Sequence, residues 1–445
     1  MKCVPIHGGT VETTKPYQAD KPTVKVDGFC GNEKSYFSLD EQILSKHLLL
    51  VGGTGCGKTN MFYHIVSQLK KGMSNDDVMI IFDTKGDYKN MFYDQSKDVI
   101  IGNARSAHTP ALTWNIFKEI VADGWDKEKL EMNINEISWA IFQESIDKNK
   151  SQPFFPNAAR DVFSAILTYI IRIGKDDLQF KKDYFNNKSL RKFLDMIDAN
   201  TLHGMLGKYS DLNSALCYIG DGSSGQALGV FAELQAVIRK LFIGTFAQEG
   251  RFSVRNFIRE KQGRTLFIDY DLSVGNVLTP IYQLLVDLAL KEALGRGKTE
   301  GNVYLICDEF KLLPHLNHIE DAVNFGRSLG VKVIAGIQSI TQLHENYGEY
   351  KGNNIAAGFS TVLSFRANDA LTRSFTTGLY GKNVTLEQYK AFDNMLTQDK
   401  RDGNMVEDWD ICNLSVGEAI IGLPFYPPFK FKCNLFKVGE HYGRK

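Results

Sequence analysis

The sequence predicts an α/β protein: a mostly parallel central sheet with helices on both faces, interrupted by an all-α insertion. Three observations carry this prediction. Short apolar, β-branched runs recur along the chain, helical patterns lie between them, and the alternation stops from about residue 119 to about residue 259. The strand candidates are "HLLLVG" from 47, "VMIIFD" from 78, "TLFIDYD" from 265, "VYLICDE" from 303, "VKVIAGIQS" from 331 and "STVLSFR" from 360. Nearly every position in these runs is apolar, which marks strands covered on both faces.

The first ~40 residues alternate polar and apolar positions and contain prolines, so an irregular or short-stranded lead-in is expected over 1–46. The main domain is then expected over 47–118 and 260–445, with 119–259 as the insertion. After Thr59, the residues Met61, Phe62, Ile65, Val66 and Leu69 share a helical face, and Gly72 supplies a stop. A second helix is expected to begin at Thr279 and Pro280, run through Leu284, Leu285 and Leu288, and end near Gly295. In the insertion, "FFPNAARDVFSAILTYIIRIG" places Val162, Phe163, Ile166, Leu167, Ile170 and Ile171 on one face, with Gly174 closing the helix.

Length and composition agree with this plan. A chain of 445 residues exceeds the roughly 250–300 residues at which single cores stop growing, so one large core plus an insertion fits. Hydrophobic residues at 43% and charged residues at 23% exclude wholesale disorder. Lysine plus arginine (52) equals aspartate plus glutamate (52), so no global field draws the chain to nucleic acid or an anionic membrane, and any such binding must come from a local patch. "FKKD" at 180 and "VIRKLF" at 237 are candidate patches within the insertion. The seven cysteines are scattered without CxxC spacing and read as reduced cytosolic thiols. No window approaches the roughly 18 uninterrupted apolar residues of a membrane span, so the chain is expected to be soluble.

Asp308 and Glu309 stand directly after the buried run "VYLIC". Carboxylates in that position need a partner or a metal. The partner is "GGTGCGKT", which matches G-x-x-x-x-G-K-[ST] at Gly52, Gly57, Lys58 and Thr59, between a strand and an amphipathic helix. Glycines let such a loop wrap its N–H groups around phosphates, the helix N-terminus adds partial positive charge, Lys58 neutralises the β/γ oxygens, and Thr59 offers its hydroxyl to Mg²⁺. The expected phosphate-binding set is Gly52, Gly53, Thr54, Gly55, Cys56, Gly57, Lys58, Thr59 and Asn60. Asp308 is expected to hold the metal through water and Glu309 to act as general base on the attacking water. Cys56 and Cys307 read as small packing residues.

Three further segments are more ambiguous. "FDTKGDY" contains overlapping D-x-x-G and T-K-x-D words, whose overlap argues against a GTPase and leaves a charged turn closing a strand. Gln338 ends another buried strand, where it either orients water and reports the γ-phosphate or caps a helix. Arg327 in "NFGRSLG" is either a solvated helix residue or a charge delivered to a neighbour's nucleotide.

The ordered set "GGTGCGKT", "DTKGD", "TPALTWN", "CDEF", "FGRSLGVKVIAGIQS" and "STVLSFRANDALTRSFTTGLYG", closed by "NLSVGEAIIGLPFYPPF", resembles the type IV secretion coupling proteins, the conjugative DNA-transfer ATPases of the FtsK and HerA superfamily. The resemblance runs from about 47 to 425. It implies a RecA-like P-loop NTPase domain with an inserted all-α domain, ATP and Mg²⁺ as ligands, and hexameric rings with nucleotides between subunits. In such a ring Arg327 is the arginine finger acting on the neighbour's ATP, and Gln338 matches the family's glutamine after the next strand. The implied partners are DNA, single-stranded or relaxase-bound, further copies of the chain, secretion-channel or membrane-anchor proteins, and protein effectors. Family members usually carry N-terminal transmembrane helices and none is seen here, so a cytoplasmic location, at most peripheral at the inner membrane, is expected. The alternatives are a cytosolic HerA-like or viral-packaging DNA translocase, and a substrate-receptor platform with nucleotide as an assembly switch.

Overall fold

The computed structural model describes residues 2–102, 112–220, 222–297, 300–390 and 396–437. In chain order its strands are β1 (Lys2–His7), β2 (Val24–Cys30), β3 (Glu33–Leu39), β4 (Leu48–Val51), β5 (Val78–Asp83), β6 (Val99–Gly102) and β7 (Arg264–Asp269). They continue with β8 (Val303–Cys307), β9 (Val331–Ile337), β10 (Thr361–Phe365), β11 (Lys382–Lys390), β12 (Leu396–Asn404), β13 (Glu418–Leu423) and β14 (Tyr426–Cys433). All six runs expected as strands are strands, β4, β5 and β7 to β10.

Eleven strands form one sheet in the order β3-β2-β14-β13-β10-β4-β9-β8-β5-β7-β6. From β10 to β6 every neighbouring pair is parallel; from β10 to β3 every pair is antiparallel. The parallel part holds the order in which chain-distant strands meet: β4 lies between β10 and β9, and β8 lies between β9 and β5. Its strands point one way, so the residues that follow β4, β5, β8 and β9 emerge along one edge.

Alternate strand residues feed two cores. Leu48, Leu50, Met79 and Ile81 pack with Met61, Phe62, Ile65, Val66 and Leu69 of the helix Lys58–Gly72. Leu49, Val51, Val78, Ile80 and Phe82 face the other way, into a core shared with Leu284, Leu285 and Leu288. That core continues without a break into Val162, Phe163, Ile166 and Ile170, so the helical stretch packs as an extension of one face of the sheet.

Between Ile116 and Glu260 every described element is a helix, the longest being Lys127–Lys148, Phe154–Asp176 and Gly225–Leu241. Entry and exit are stitched together, since Trp114 bridges Phe252 and Asn115 N donates to Phe252 O at 3.0 Å. Asn115 also caps the first helix, accepting from Phe117 N at 2.9 Å. Trp114 and Asn115 are the end of the "TPALTWN" stretch; residues 109–111 lie outside the described residues.

Several local expectations are corrected. Gly174 does not end its helix, which runs on to Asp176; a Cβ at Gly174 would lie 2.2 Å from the Phe185 ring, so the glycine is there for close packing. Pro280 is not at the start of its helix, which spans Gly275–Leu294 and holds the proline in its second turn. The lead-in contains β2 and β3, which add to the main sheet through β14, with Lys432 opposite Phe29. β6, β11, β12, β13 and β14 were not foreseen; β11 pairs with β1 on one side and β12 on the other in a separate three-stranded sheet.

Candidate functional site

The end of β4 turns directly into the glycine loop. Gly57 has φ +111°, and a Cβ there would lie 3.0 Å from Gly417 Cα, so both the backbone conformation and the close approach require glycine. Gly417 N donates to Cys56 O at 2.9 Å and Cys433 N to Gly417 O at 2.9 Å, so the segment before β13 and the end of β14 support the loop from the side. Cys56 is buried there, and burial raises its thiol pKa. Burial raises that of Cys307 well above the ordinary value. Both behave as packing residues.

Lys58 is buried at 7% exposure, and its ammonium donates to Gly52 O at 2.6 Å and Gly53 O at 3.2 Å. Among the described residues no carboxylate forms an ion pair with it. A buried cation held by carbonyl dipoles alone, at the end of a glycine loop, is suited to receive an anion.

The acids meet this loop. Thr59 Oγ1 donates to Asp308 Oδ2 at 2.6 Å, and Tyr88 OH donates to the same oxygen at 3.2 Å. Burial raises the Asp308 pKa, opposed by the Thr59 hydrogen bond and reinforced by the charge of Glu309. Gly336 in β9 makes room for this approach, since a Cβ there would lie 2.3 Å from Asp308 O. Glu309 is half-exposed and accepts from Gln338 Nε2 at 3.2 Å, while Gln338 Oε1 accepts from Thr54 Oγ1 at 3.2 Å. Gln338 therefore ties the acid beside β8 to the loop after β4.

"FDTKGDY" takes three roles that its sequence did not separate. Asp83 is fully buried and accepts from Gly86 N at 2.9 Å and Lys89 N at 2.8 Å; burial nevertheless raises its pKa to about 6. That residue closes the turn. Lys85 Nζ stands 4.0 Å from Glu309 Oε1, and Tyr88 reaches Asp308. Neither Lys85 nor Tyr88 was foreseen as a site residue. The signal was β5 pairing beside β8, which a single sequence does not reveal.

Two expected site residues lie apart. Asn60 does not turn its side chain into the loop; its Nδ2 donates to Asn434 O at 2.8 Å and its Oδ1 accepts from Phe436 N at 2.7 Å. Arg327 sits in the turn Gly326–Leu329 before β9, at the opposite end of the strands from the loop. Its neighbour there is His47, just before β4, whose Nδ1 accepts from Val333 N at 3.1 Å. Burial, and secondarily the Arg327 charge, lowers the His47 pKa to about 4. Arg327 is exposed; its carbonyl accepts from Gly330 N at 3.3 Å, and its guanidinium has no hydrogen-bond or ion-pair partner among the described residues.

The "VIRKLF" patch is largely spent internally: Arg239 pairs with Asp195 at 2.8 Å and Lys240 with Glu144 at 2.6 Å. Among the described residues no group of three or more His, Cys, Asp or Glu could hold a metal ion by itself.

A phosphate-loop strand flanked by the strand of the glutamine, with the acidic strand next, defines a RecA-like P-loop NTPase fold. The family model for the type IV secretion-system coupling protein DNA-binding domain matches residues 35–410, and the chain belongs to that family. Coupling protein TraD of Escherichia coli K12 is 22% identical over 354 residues, covering 77% of this chain and 45% of TraD. The coupling protein VirD4 of Bartonella henselae is 22% identical over 271 residues, 57% of this chain and 40% of VirD4. The chain thus spans less than half the length of these curated relatives.

Among solved structures, the bacterial conjugative coupling protein TrwBdeltaN70 in its unbound form superposes with a TM-score of 0.73 at 19% identity, covering 98% of this chain and 94% of that one. TrwB has also been solved with the ATP analogue ADPNP, with a GTP analogue, and with ADP and Mg²⁺. VirB4 of Thermoanaerobacter pseudethanolicus gives a TM-score of 0.56 at 11% identity, covering 96% of this chain and 100% of that one. These likenesses establish the fold.

Proposed function

We propose that this chain is the ATP-hydrolysing motor of a type IV coupling protein, working as a ring that moves DNA or a protein–DNA substrate towards a secretion channel. The observation that carries the reading is a division of labour. The loop, Asp308, Glu309 and Gln338 gather at one end of the sheet, while the unpartnered Arg327 guanidinium is held at the other. A single copy cannot bring Arg327 to its own phosphates. In a ring, each copy supplies the guanidinium to its neighbour's nucleotide, as the resemblance implies. Residues 47–118 and 260–445 would form the nucleotide-binding part and 119–259 the all-α insertion.

The residues fit ATP with Mg²⁺. Lys58 supplies the buried cation for β/γ oxygens; Thr59 and Asp308 converge to 2.6 Å, Thr59 to ligate the metal and Asp308 to hold its water. The metal would neutralise charge building on the β/γ oxygens. Glu309 takes the proton of the attacking water as its oxygen bonds to the γ-phosphorus and the bond to the β-phosphate oxygen breaks. Gln338 orients that water, and Tyr88 fixes Asp308. Complexes of TrwB with ADPNP and with ADP and Mg²⁺ support this choice of ligand.

The test is subunit mixing. Arg327→Ala and Lys58→Ala chains are each expected to be inactive, and a mixture of the two to recover phosphate release, because some interfaces regain an intact cradle and an intact finger. Two inactive proteins that stay inactive when mixed, although they co-assemble, sink the shared site. DNA contact is read separately: affinity that falls steeply with added salt supports phosphate contacts, and a flat profile removes them. With Arg239 and Lys240 paired to acids, the contact surface must be sought elsewhere. No helix among the described residues is long and apolar enough to cross a membrane, so delivery to the inner membrane would rest on a partner or on an anchor outside them.

A further inference from the structure

The cradle has two ends. At one, Thr54, Gln338 and Glu309 are joined by hydrogen bonds of 3.2 Å, where the proposed function puts the terminal phosphate. In a loop of this type the lysine meets the β/γ oxygens, and the backbone nearer the helix meets the α-phosphate. Ribose and base therefore leave past Cys56 and the first turn of the helix Lys58–Gly72.

Two backbone segments are clamped to that exit. The first, 415–417, is fixed by Gly417 N to Cys56 O at 2.9 Å. The second, 433–436, is fixed by Asn434 O, which accepts from Asn60 Nδ2 at 2.8 Å and meets His64 Nε2 at 2.9 Å, and by Phe436 N to Asn60 Oδ1 at 2.7 Å. Phe436 is buried against Tyr63, His64 and Phe92. The two segments are joined by Cys433 N to Gly417 O at 2.9 Å. Each pinned segment nevertheless holds an aliphatic side chain out in solvent: Val416 is 62% exposed and Leu435 is 81% exposed.

We infer that Val416 and Leu435 form an aliphatic clip for the ribose and base of the nucleotide whose phosphates occupy the loop. The inference rests on the phosphate-loop reading above. It assigns Asn60 a positioning role, holding the second jaw through its side chain. A clip of two aliphatic groups grips any purine ring and discriminates weakly between an amino and a keto edge, so ATP and GTP should bind within about ten-fold of each other. The nucleotide is favoured over a neighbouring subunit as occupant because the clip is continuous with the cradle and shares its backbone hydrogen bonds.

Calorimetry on the full chain with Mg²⁺ and three probes, inorganic tripolyphosphate, ATP and GTP, tests this. Wild type is expected to bind ATP and GTP at least about ten-fold more tightly than tripolyphosphate, and Val416→Ser combined with Leu435→Ser to lose about ten-fold for both nucleotides while tripolyphosphate affinity holds. Val416→Ile should keep wild-type affinity. ATP affinity unchanged in the double variant overturns the clip, as does an effect confined to subunit assembly. Wild type that binds neither ATP nor tripolyphosphate overturns the phosphate-loop reading itself, and the clip with it.

Discussion

Glu119 and Asp308 are both buried carboxylates whose pKa is raised by burial, yet their surroundings differ in kind. Glu119, at the joint of the helical stretch, accepts from Trp114 Nε1 at 3.0 Å, Ser253 Oγ at 2.8 Å, Val254 N at 2.6 Å and Arg255 N at 3.3 Å. Two of those donors are backbone groups and a third is an indole N–H, none of which can turn away without breaking the joint; only the Ser253 hydroxyl can rotate. Asp308 accepts from two hydroxyls, Thr59 and Tyr88, each free to rotate towards another acceptor. A carboxylate held mainly by fixed donors builds structure, and one held only by rotatable hydroxyls is available to a metal.

The largest expected effect tests the Asp308 end. Lys58→Ala should remove nucleotide binding and reduce phosphate release to background, without lowering the melting temperature, because it deletes a buried cation that lacks an anionic partner. Calorimetry and circular dichroism melts check both halves. Next comes Arg327→Ala, which, if the proposed ring forms, should cut turnover by about 10³-fold while nucleotide affinity holds; a loss of affinity with no loss of turnover would count against a finger.

The two carboxylates can be exchanged for their amides directly. Asp308→Asn should lower turnover by about 10²-fold and leave the melting temperature level or higher, whereas Glu119→Gln should cost about 1–3 kcal/mol of stability and leave nucleotide affinity unchanged. Swapped outcomes would erase the distinction drawn between them.

The smallest effect concerns His47. Its folded-state pKa of about 4 lies below the ordinary 6.5, so it contributes stability that is present above pH 6.5 and lost as the pH falls through 4, about 3 kcal/mol at most. Asp83, raised from 3.8 to about 6, acts in the opposite sense: its contribution is present below pH 3.8 and lost as the pH rises through 6. Comparing His47→Gln with wild type cancels Asp83. The stability advantage of wild type should shrink between about pH 7 and pH 4. An advantage equal at both values would mean that His47 is not held neutral.

Legibility followed burial and locality. Strands buried on both faces announce themselves, which is why β4, β5 and β7 to β10 were visible and why Gln338 could be placed at a strand end. β14 hides behind Pro427 and Pro428, which argue against a strand, and β11 and β12 carry too many charges to look like one. The glycine loop and the acidic pair could be matched because their chemistry demands each other. Tyr88 and Glu119 could not, because their partners are set by which strands and helices happen to be neighbours. Asn60 stands in the expected phosphate-binding set, and its side chain, about 100° around the helix from that of Thr59, turns towards the end of β14. Gly174 and Pro280 were read as helix punctuation when one is a packing contact and the other is tolerated inside a helix.

The antiparallel edge of the sheet sets a timetable for synthesis. β2 and β3 hang on β14, and the hydrogen bond from Gly417 that braces Cys56 belongs to the same late segment. Translated at about 5–20 residues per second, the strands near residue 24 wait on the order of 20–80 s for residue 433 to leave the ribosome. Until then they present an unpaired edge to chaperones and to each other. The glycine loop therefore lacks its Gly417 brace until residues 417 and 433 have both been made.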